Sequence, residues 1–463
     1  MIKRSLADIA RMCGALRVEG DSEARISGVS IDSRTVAPGN LFVPLAGETF
    51  DGHDFAAIAA ERGAAAVFGQ EGKPNPPEGV PLVVVDDPLA ALQSLAAAYR
   101  RQLPVRVIGI TGSNGKTTTK EMVAAALSTT YRTIKNEGNL NNHIGLPLTL
   151  LRLDETTEMA VVEMGMSGRG EIELLTKLAL PEAAIITNVG EAHLQQLGSR
   201  LEIARAKTEI AHGLSAGDLL VYNGDEPLLE QSLTEFGLSD DILRFRFGRS
   251  PGNDYYPSAI MLSEHGTLFH LNGGSGPTYS LPLMGEHNVV NALAAIAVAK
   301  FMGVMESDIV RGLETMKPVG MRAEIVKGKT GLTIINDTYN SSPTSVRSVL
   351  ELFYSLKGFR KKIVVLGDML ELGSEEKDYH RQVGSEIDAS RIDAIYTYGE
   401  LARHIALGAA DHFSDGKVRS FLTKDDLIRS LGRELSPEDA VLVKASRGMK
   451  MEEVVEALKQ ITI

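Results

Sequence analysis

The chain has 463 residues, which is too many for one hydrophobic core and predicts about three domains. Hydrophobic residues make up 43% of the sequence and charged residues 23%, as in ordinary soluble globular proteins. The formal net charge of −12 argues against general nucleic-acid binding, because phosphate backbones attract basic surfaces.

The single cysteine, Cys13, cannot form an intramolecular disulfide, and this fits a reducing compartment. No apolar run approaches the roughly 18 residues that are needed to span a bilayer. The N-terminal sequence also lacks the apolar segment of a signal peptide. We therefore expect a cytoplasmic protein that neither inserts into membranes nor binds nucleic acids.

Residues 1–87 are predicted to form a smaller N-terminal α/β domain. Short apolar runs interrupted by Pro38 and Gly39 indicate strands that are joined by tight turns. The alanine-rich stretch 55–69 is predicted to be helical, and a further helix over 89–103 is predicted to link this region to the next.

Residues 88–317 are predicted to form a central domain. Apolar runs at 105–111, 159–164 and 183–189 indicate strands, and helical stretches lie between them. Strands that alternate with helices indicate a mostly parallel sheet covered on both faces. A helix near 287–303 closes this region.

Residues 318–463 are predicted to form a C-terminal domain of Rossmann type. Strands are predicted at 332–339, 361–368, 394–399 and 440–446, with helical segments between them. The chain is thus expected to be an α/β protein of three domains. Clefts between such domains are places where ligands preferentially bind.

A phosphate-binding loop is predicted in the sequence ITGSNGKTTTK, residues 110–120. Gly112 and Gly115 allow backbone N–H groups and a helix N-terminus to approach an anion closely. In such a loop Lys116 reaches the β- and γ-phosphates of ATP, and the Thr117 hydroxyl binds Mg²⁺. The first glycine of the pattern G-x-x-x-x-G-K-[ST] is missing, and a plain glycine turn before a helix is the alternative interpretation.

Three further side chains follow the loop in positions that suit phosphoryl transfer. Glu163 ends a predicted strand, where an open α/β sheet places ligand-binding groups. His193 follows the next strand, and Lys207 lies on a predicted helix. Taken singly, each has an ordinary explanation as a solvated carboxylate, a loop histidine or a surface lysine. Their shared position after the phosphate loop favours an active site.

The ordered set of motifs resembles that of the Mur ligases. The match runs through all three regions and covers nearly the whole chain. Besides the Glu163 strand end, the motifs that carry it are TGSNGKTTT, NVGEAHL, ARAKTEI, GEHNVVNALAA, MRAE and NDTYNSSP.

The resemblance implies an ATP-dependent ligase of peptidoglycan synthesis. A peptide carboxylate attacks the γ-phosphate of ATP, and an amine then displaces phosphate from the resulting acyl phosphate. By resemblance, the stretches at 139–147 and 364–373 favour D-alanyl-D-alanine and UDP-N-acetylmuramoyl-tripeptide as substrates. The enzyme is expected to be a monomer. The alternatives are a ligase for the third peptide residue, a folate-type polyglutamate ligase, or a nucleotide-binding regulator without ligase chemistry.

The resemblance also implies a set of site residues. One Mg²⁺ is expected at Thr117 and Glu163, and a second at His193 and a carbamylated Lys207. Lys116, His193 and Lys207 are expected to be catalytic. The residues expected to contact ATP are Gly112, Ser113, Asn114, Gly115, Lys116, Thr117, Thr118, Asn291, Arg322, Asp337 and Asn340. Those expected to contact the other substrates are Ser33, Arg34, Asn139 and Asn142.

Two of the expected ATP contacts predict a domain movement. Arg322 and Asp337 lie in the third region, whereas the phosphate loop lies in the second. One ATP molecule can touch both sets only if the domains close around it. Closure would also keep water away from an acyl phosphate, which water hydrolyses.

Overall fold

The N-terminal part of the chain is a small α/β unit in the computed structural model, which describes residues 1–47, 49–73, 79–263, 266–274 and 276–461. β1 pairs with β3, and the other strands form a sheet in the order β2-β7-β6-β5-β4. The elements are β1 (Lys3–Ser5), α1 (Leu6–Cys13), β2 (Arg17–Glu19), β3 (Arg25–Ser27), β4 (Val29–Ser30), β5 (Leu41–Phe42), α2 (Ala56–Glu61), β6 (Ala66–Gln70) and β7 (Leu82–Val85).

The alanine-rich stretch 55–69 is only partly helical, so the prediction for it is wrong in its second half. α2 ends at Glu61, and Gly63 has a φ of 96°, which L side chains rarely adopt. The chain then enters β6, where Ala66, Val67 and Phe68 are buried. Pairing with β5 and β7 therefore outweighs the helix propensity of the alanines.

The linking helix α3 (Pro88–Arg100) joins the first unit to the central one. Its N-cap is Asp87, whose side chain accepts a hydrogen bond from the Leu89 N–H at 2.8 Å. Leu92 and Leu95 of this helix share one hydrophobic core with Leu6 of α1. That core continues into the central sheet, so α3 packs against both units.

The central part is built on a parallel sheet in the order β13-β12-β11-β8-β10-β9. The direction of chain progression reverses at β8, and ligands bind beyond the carboxyl ends of the strands at such a point. The elements up to the last of these strands are β8 (Arg106–Thr111), α4 (Lys116–Leu127), β9 (Thr133–Lys135), α5 (Gly145–Leu151), β10 (Met159–Glu163), α6 (Glu171–Ala179), β11 (Ala183–Ile186), α7 (Leu194–Leu197), α8 (Arg200–Thr208), β12 (Leu219–Asn223), α9 (Pro227–Phe236) and β13 (Leu243–Phe247).

The sequence reading missed a small antiparallel sheet that covers one side of this unit. Its strands are β14 (Pro257–Ser263), β15 (Gly266–Leu271) and β16 (Tyr279–Leu281), and they are followed by α10 (Glu286–Phe301) and α11 (Glu306–Glu314). Phe269 and Tyr279 of this sheet share a core with Val289 of α10 and Ile108 of β8. α10 is buried on nearly all sides because it lies between the two sheets.

The C-terminal part is a second parallel sheet with one antiparallel edge strand, in the order β17-β18-β22-β19-β20-β21. The sequence reading found β18, β19, β20 and β22 and missed the two edge strands. The elements are β17 (Glu324–Lys327), β18 (Thr333–Asp337), α12 (Pro343–Ser355), β19 (Lys362–Gly367), α13 (Glu376–Ser385), β20 (Ala394–Tyr398), α14 (Arg403–Ala409), β21 (Val418–Phe421), α15 (Lys424–Gly432), β22 (Ala440–Lys444) and α16 (Glu452–Gln460).

The predicted fold class, α/β with a central phosphate-loop unit and a Rossmann-like C-terminal unit, is confirmed. The exact boundaries at 87/88 and 317/318 stay predictions. Within the described residues, no helix is both long and apolar enough to cross a membrane.

The buried Arg100 provides a test of how the linking helix is anchored. It is 7% exposed, and its Nε donates to Ala179 O at 2.9 Å while Nη2 donates to Leu180 O at 3.3 Å, at the end of α6. We expect Arg100→Ala to lower the free energy of unfolding by about 2 kcal/mol, because buried carbonyls lose a charged donor. The midpoint of thermal unfolding should fall by a few degrees. Arg101, the exposed neighbour, provides a matched control. An equal fall in the unfolding midpoint of Arg101→Ala would contradict this account.

Candidate active site

The phosphate loop lies between the carboxyl end of β8 and the first residue of α4. Gly112 has a φ of 148°, and a Cβ there would lie 1.8 Å from Thr187 Oγ1. Gly115 has a φ of 81°, and a Cβ there would lie 2.7 Å from Asn291 Oδ1. Both positions therefore require glycine, and the N-terminus of α4 opens toward the loop as an anion site.

Groups just beyond β11 hold the loop in place. The Asn114 N–H donates to Asn188 Oδ1 at 2.9 Å, and Thr187 Oγ1 donates to Asn114 O at 2.6 Å. β8 and β11 are neighbours in the sheet, so their carboxyl ends bring these groups together. The buried Ser113 hydroxyl has no hydrogen-bond partner in the described part of the chain, and Thr118 on α4 is also buried.

Lys116 folds back over the loop. Its Nζ donates to Gly112 O at 2.8 Å and to Ser113 O at 3.4 Å. Burial lowers the pKa of this amine below its ordinary value of 10.5, while the carboxylate of Glu163 acts in the opposite direction and the positive charge of Arg322 lowers it further. An anion in the loop would thus meet a cation that is already desolvated.

Thr117 connects residues from both sides of the site. Its Oγ1 donates to Glu163 Oε2 at 2.8 Å and accepts a hydrogen bond from Arg322 Nη2 at 2.9 Å. Glu163 belongs to the central sheet and Arg322 precedes the first strand of the C-terminal sheet. The structure therefore brings Arg322, from the third predicted region, to Thr117 and Glu163, which both lie in the second.

Two asparagines that the sequence reading did not select fix the position of Glu163, which is 3% exposed. Asn141 Nδ2 donates to Glu163 Oε1 at 2.9 Å, and the Glu163 N–H donates to Asn136 Oδ1 at 2.9 Å. The buried Lys120 in turn donates to Asn136 O at 2.8 Å. The asparagine-rich motif signalled this loop, but it gave no means of choosing among its asparagines.

His193 and Lys207 lie close enough to Lys116 for their charges to interact. Lys207 is 1% exposed, and burial together with the charge of Lys116 lowers its pKa well below 10.5. Burial also lowers the pKa of His193, although Glu371, whose Oε2 lies 2.8 Å from His193 Nδ1, opposes this shift. Within the described residues no carboxylate forms an ion pair with Lys207. The amine is therefore held in a setting that favours its neutral form.

Backbone strain is concentrated around these residues. Met321 and Ala323, with φ of 59° and 49°, flank Arg322. His193 and Glu371, with φ of 65° and 64°, face each other across the junction of the central and C-terminal parts. Positive φ at such residues is costly and persists where surrounding contacts enforce it.

A cavity of about 370 Å³ lies between the central and C-terminal parts. Its walls include Asn114, Gly115 and Thr118 at the phosphate loop and Asn291 on α10. Its C-terminal wall contains three residues that were predicted from the sequence, Arg322, Asp337 and Asn340. Tyr339, which was not predicted, lies in the same wall. Seven of the eleven predicted nucleotide contacts thus line one cavity, whereas Gly112, Ser113, Lys116 and Thr117 do not line it. Arg322 links the cavity to Thr117.

Lys444 organises the C-terminal wall, and the sequence reading missed it. Its Nζ donates to Asp337 Oδ2 at 2.6 Å and to Asn340 O at 2.7 Å. The other Asp337 oxygen accepts a hydrogen bond from the Ala323 N–H at 3.0 Å. The Arg322 guanidinium stacks on the Tyr339 ring at 4.2 Å, and its buried Nε has no partner among the described residues. These contacts leave Arg322 with a donor to offer a ligand.

The four residues expected to contact the other substrates do not line this cavity. Ser33 is buried in the N-terminal unit, and the exposed Arg34 pairs with Asp32 at 2.7 Å. Asn139 is exposed, and Asn142 Oδ1 accepts from the Gly145 N–H at 2.8 Å, at the start of α5. Their proposed contacts with substrate stay predictions.

Comparison with known proteins gives matches along the whole chain. Family models described as "Mur ligase family, catalytic domain", "Mur ligase middle domain" and "Mur ligase, glutamate ligase domain" match residues 25–100, 110–299 and 321–447. The chain is 48% identical over 459 residues to the UDP-N-acetylmuramoyl-tripeptide--D-alanyl-D-alanine ligase of Bacillus subtilis (strain 168), and the match covers 99% of each chain.

Solved structures of similar proteins belong to the same group of ligases. A crystal structure of MurF from Acinetobacter baumannii superposes with a TM-score of 0.89, at 31% identity over 99% of both chains. A crystal structure of MurF ligase from Thermotoga maritima in complex with ADP gives a TM-score of 0.82, at 29% identity over 93% of this chain and 97% of that chain.

His287, which lines the cavity, predicts a specific pH dependence of stability. Burial lowers its pKa from 6.5 to about 4, against the opposing effect of Asp337. Between these values the unfolded chain binds a proton that the folded chain does not, so stability should fall as pH drops from about 6.5 toward 4. We expect His287→Gln to reduce the loss of thermal midpoint between pH 7.5 and pH 5.5. An unchanged loss in this variant would show that His287 does not contribute.

Proposed function

Because the chain belongs to the Mur ligase family, we propose that it joins UDP-N-acetylmuramoyl-tripeptide to D-alanyl-D-alanine at the expense of ATP. The terminal carboxylate of the tripeptide attacks the γ-phosphorus, and the bond to ADP breaks to give an acyl phosphate. The amino group of the dipeptide then attacks the acyl carbon, loses a proton and expels phosphate. The product is the pentapeptide precursor of peptidoglycan.

The observation that carries this proposal is the contact of Arg322 with Thr117, beside a cavity that both parts of the chain line. Nucleotide enclosed there would touch the phosphate loop on one side and the C-terminal wall on the other. Water would be kept away from the reacting phosphate, as an acyl-phosphate mechanism requires. The ADP complex of the Thermotoga maritima relative supports the use of ATP.

Several of the predicted ATP contacts have distinct tasks in this scheme. The backbone from Gly112 to Gly115 would surround phosphate oxygens, and Asn291 and Asp337 would contact the nucleoside from opposite walls. The hydrogen bonds of Lys116 to Gly112 O and Ser113 O would be exchanged for phosphate oxygens. Cationic donors that are fixed in advance stabilise the charge that develops on oxygen during both steps.

The residues at Thr117 fit a magnesium site. Mg²⁺ is held in ATP sites by one or two carboxylates together with phosphate oxygens and water. Thr117 Oγ1 and Glu163 Oε2 lie 2.8 Å apart at the N-terminus of α4, so the two oxygens are close enough to bind the same ion. Bound Mg²⁺ would neutralise the negative charge on the transferred phosphoryl group. Among the described residues, no three acidic, histidine or cysteine side chains are grouped so that they could hold a metal ion.

Lys207 fits a second such site only as a carbamate. An ammonium group has donors but no acceptor, so it cannot bind a metal ion. A neutral amine, which burial and the charge of Lys116 favour here, can add to CO₂ and lose a proton. The resulting carbamate supplies two anionic oxygens, and His193 would bind the same ion through a ring nitrogen.

The remaining assignments form part of the same proposal. Ser33 and Arg34 would contact the uridine diphosphate, and Asn139 and Asn142 the peptide. We place the enzyme in the cytoplasm, where its free thiol Cys13 would stay reduced, and we expect a monomer, because one chain supplies residues to both walls of the cavity.

Release of phosphate from ATP tests the proposed reaction. With UDP-N-acetylmuramoyl-tripeptide present, D-alanyl-D-alanine should be a far better acceptor than D-alanine, L-alanine, lysine or diaminopimelate. A site that pairs buried polar groups with a dipeptide penalises ligands that leave them unpaired. Lys116→Ala is the inactive control, with an expected loss of about 10²–10³ in rate. Equal rates with lysine would assign the chain to the third-residue ligase, and activity with folate and glutamate would assign it to the polyglutamate ligases.

The carbamate on Lys207 can be detected without any assay of activity. Wild-type protein equilibrated with ¹³C-bicarbonate should show a carbamate carbon signal that Lys207→Ala lacks and the exposed-site control Lys177→Ala retains. Lys207→Ala should also be nearly inactive, and acetate should restore part of its activity by supplying carboxylate oxygens. Lys207→Arg should not be rescued, because arginine fills the space with a positive charge. Absence of the signal from active wild-type enzyme would refute the carbamate.

A further inference from the structure

Glu191 is a buried carboxylate for which the proposed reaction has no use. It is 6% exposed and lies between β11 and α7, in the segment that also carries His193. Its two carboxylate oxygens lie 2.8 and 3.0 Å from Thr344 Oγ1, and Oε2 accepts from the Thr344 N–H at 3.2 Å. In the described part of the chain no cation forms an ion pair with Glu191. Among the described residues Thr344 is the hydrogen-bond partner of this carboxylate, and the positive charge of Arg347 lies near enough to interact with it.

Thr344 lies in the first turn of α12, on the other side of the junction. α12 runs over Pro343–Ser355, and its N-cap Ser342 accepts a hydrogen bond from the Ser345 N–H. The N–H groups at the start of a helix carry partial positive charge, and a carboxylate there is stabilised. Glu191 thus binds the positive end of a helix that belongs to the other half of the molecule.

The same turn of α12 forms part of the cavity. Thr344, Ser345 and Ser348 line the wall, whereas Glu191 does not. Three residues before Glu191, Asn188 holds the phosphate loop through the Asn114 N–H. The intervening Gly190 lies beside both the phosphate loop and α12, since a Cβ there would be 3.4 Å from Ser113 Cβ and 3.7 Å from Thr344 Cβ. One short segment therefore touches the phosphate loop at one end and α12 at the other.

We infer that Glu191 is a positioning residue that fixes the C-terminal wall of the nucleotide cavity by binding the N-terminus of α12. The inference rests on the proposed function, since it assigns the cavity to ATP. Glu191 acts through Thr344 and not by touching the ligand. Its loss lowers the fraction of molecules whose cavity is assembled, and the apparent nucleotide affinity falls by the same factor. Saturating ATP, which contacts both walls, restores assembly, so kcat is preserved while KM for ATP rises.

The test is a double-mutant cycle on Glu191 and Thr344, read by calorimetric titration with ADP. Glu191→Ala should weaken ADP binding and raise KM for ATP about tenfold, with kcat within about twofold, as expected for loss of a charged hydrogen bond. Glu191→Gln keeps one acceptor and should lie between. Glu191→Ala added to Thr344→Val should cost much less than the sum of the single effects, because either change removes the contact. Gln196→Ala, an exposed change in the same segment, is the control.

Three outcomes would overturn the inference: unchanged ADP affinity in Glu191→Ala, additive effects in the cycle, or a fall in kcat with KM unchanged. Thermal unfolding without nucleotide accompanies each variant, and a large loss of stability in Glu191→Ala would indicate a merely structural role. The proposed reaction is judged separately, by phosphate release from the wild-type enzyme. A wild type that binds ADP but forms no peptide bond would refute the function and leave the cycle interpretable.

Discussion

The hydrogen bond from Arg322 to Thr117 is the contact on which the candidate site depends. It spans 2.9 Å between the segment that leads into β17 and the first turn of α4. Thr117 Oγ1 in turn donates a hydrogen bond to Glu163 Oε2 at 2.8 Å, which extends the connection to the central sheet. If these two parts of the chain were apart, the phosphate loop would face solvent and the wall at Asp337 would have no ligand to contact. The chemistry of the site is thus a property of the assembled pair.

The electrostatics of the site follow from that assembly. Lys116 and Arg322 bring two cationic groups to the buried carboxylate of Glu163, and burial lowers the pKa of Lys116 and of the nearby Lys207. Such an excess of positive charge is expensive without a counterion. The triphosphate of ATP, a peptide carboxylate and a carbamate would each supply negative charge there. The arrangement that costs stability in the free protein would therefore favour the binding of such anions.

Some of this was accessible from the sequence and some was not. The phosphate loop and the end of β10 could be predicted because glycines and a strictly apolar strand leave local signals at Gly112 and Glu163. Edge strands such as β17 and β21 are short and only partly buried, so they have no clear pattern. The contacts of Asn141, Asn188 and Lys444 could not be predicted, because each depends on which strands become neighbours. Resemblance to a family located Arg322 and Asp337, while composition and periodicity gave no indication of them.

Arg322 lies in the segment that connects the central and C-terminal sheets. α11 ends at Glu314 and β17 begins at Glu324, so Arg322 lies within the tether that joins the two sheets. The residues on either side of it hold strained backbone conformations, with φ of 59° and 49°. A rotation of the C-terminal sheet relative to the central sheet would therefore also move Arg322. The predicted contact with the phosphate end of the nucleotide and the predicted hinge of domain closure therefore fall on one short stretch of polypeptide, so a ligand that holds Arg322 would also restrict that movement.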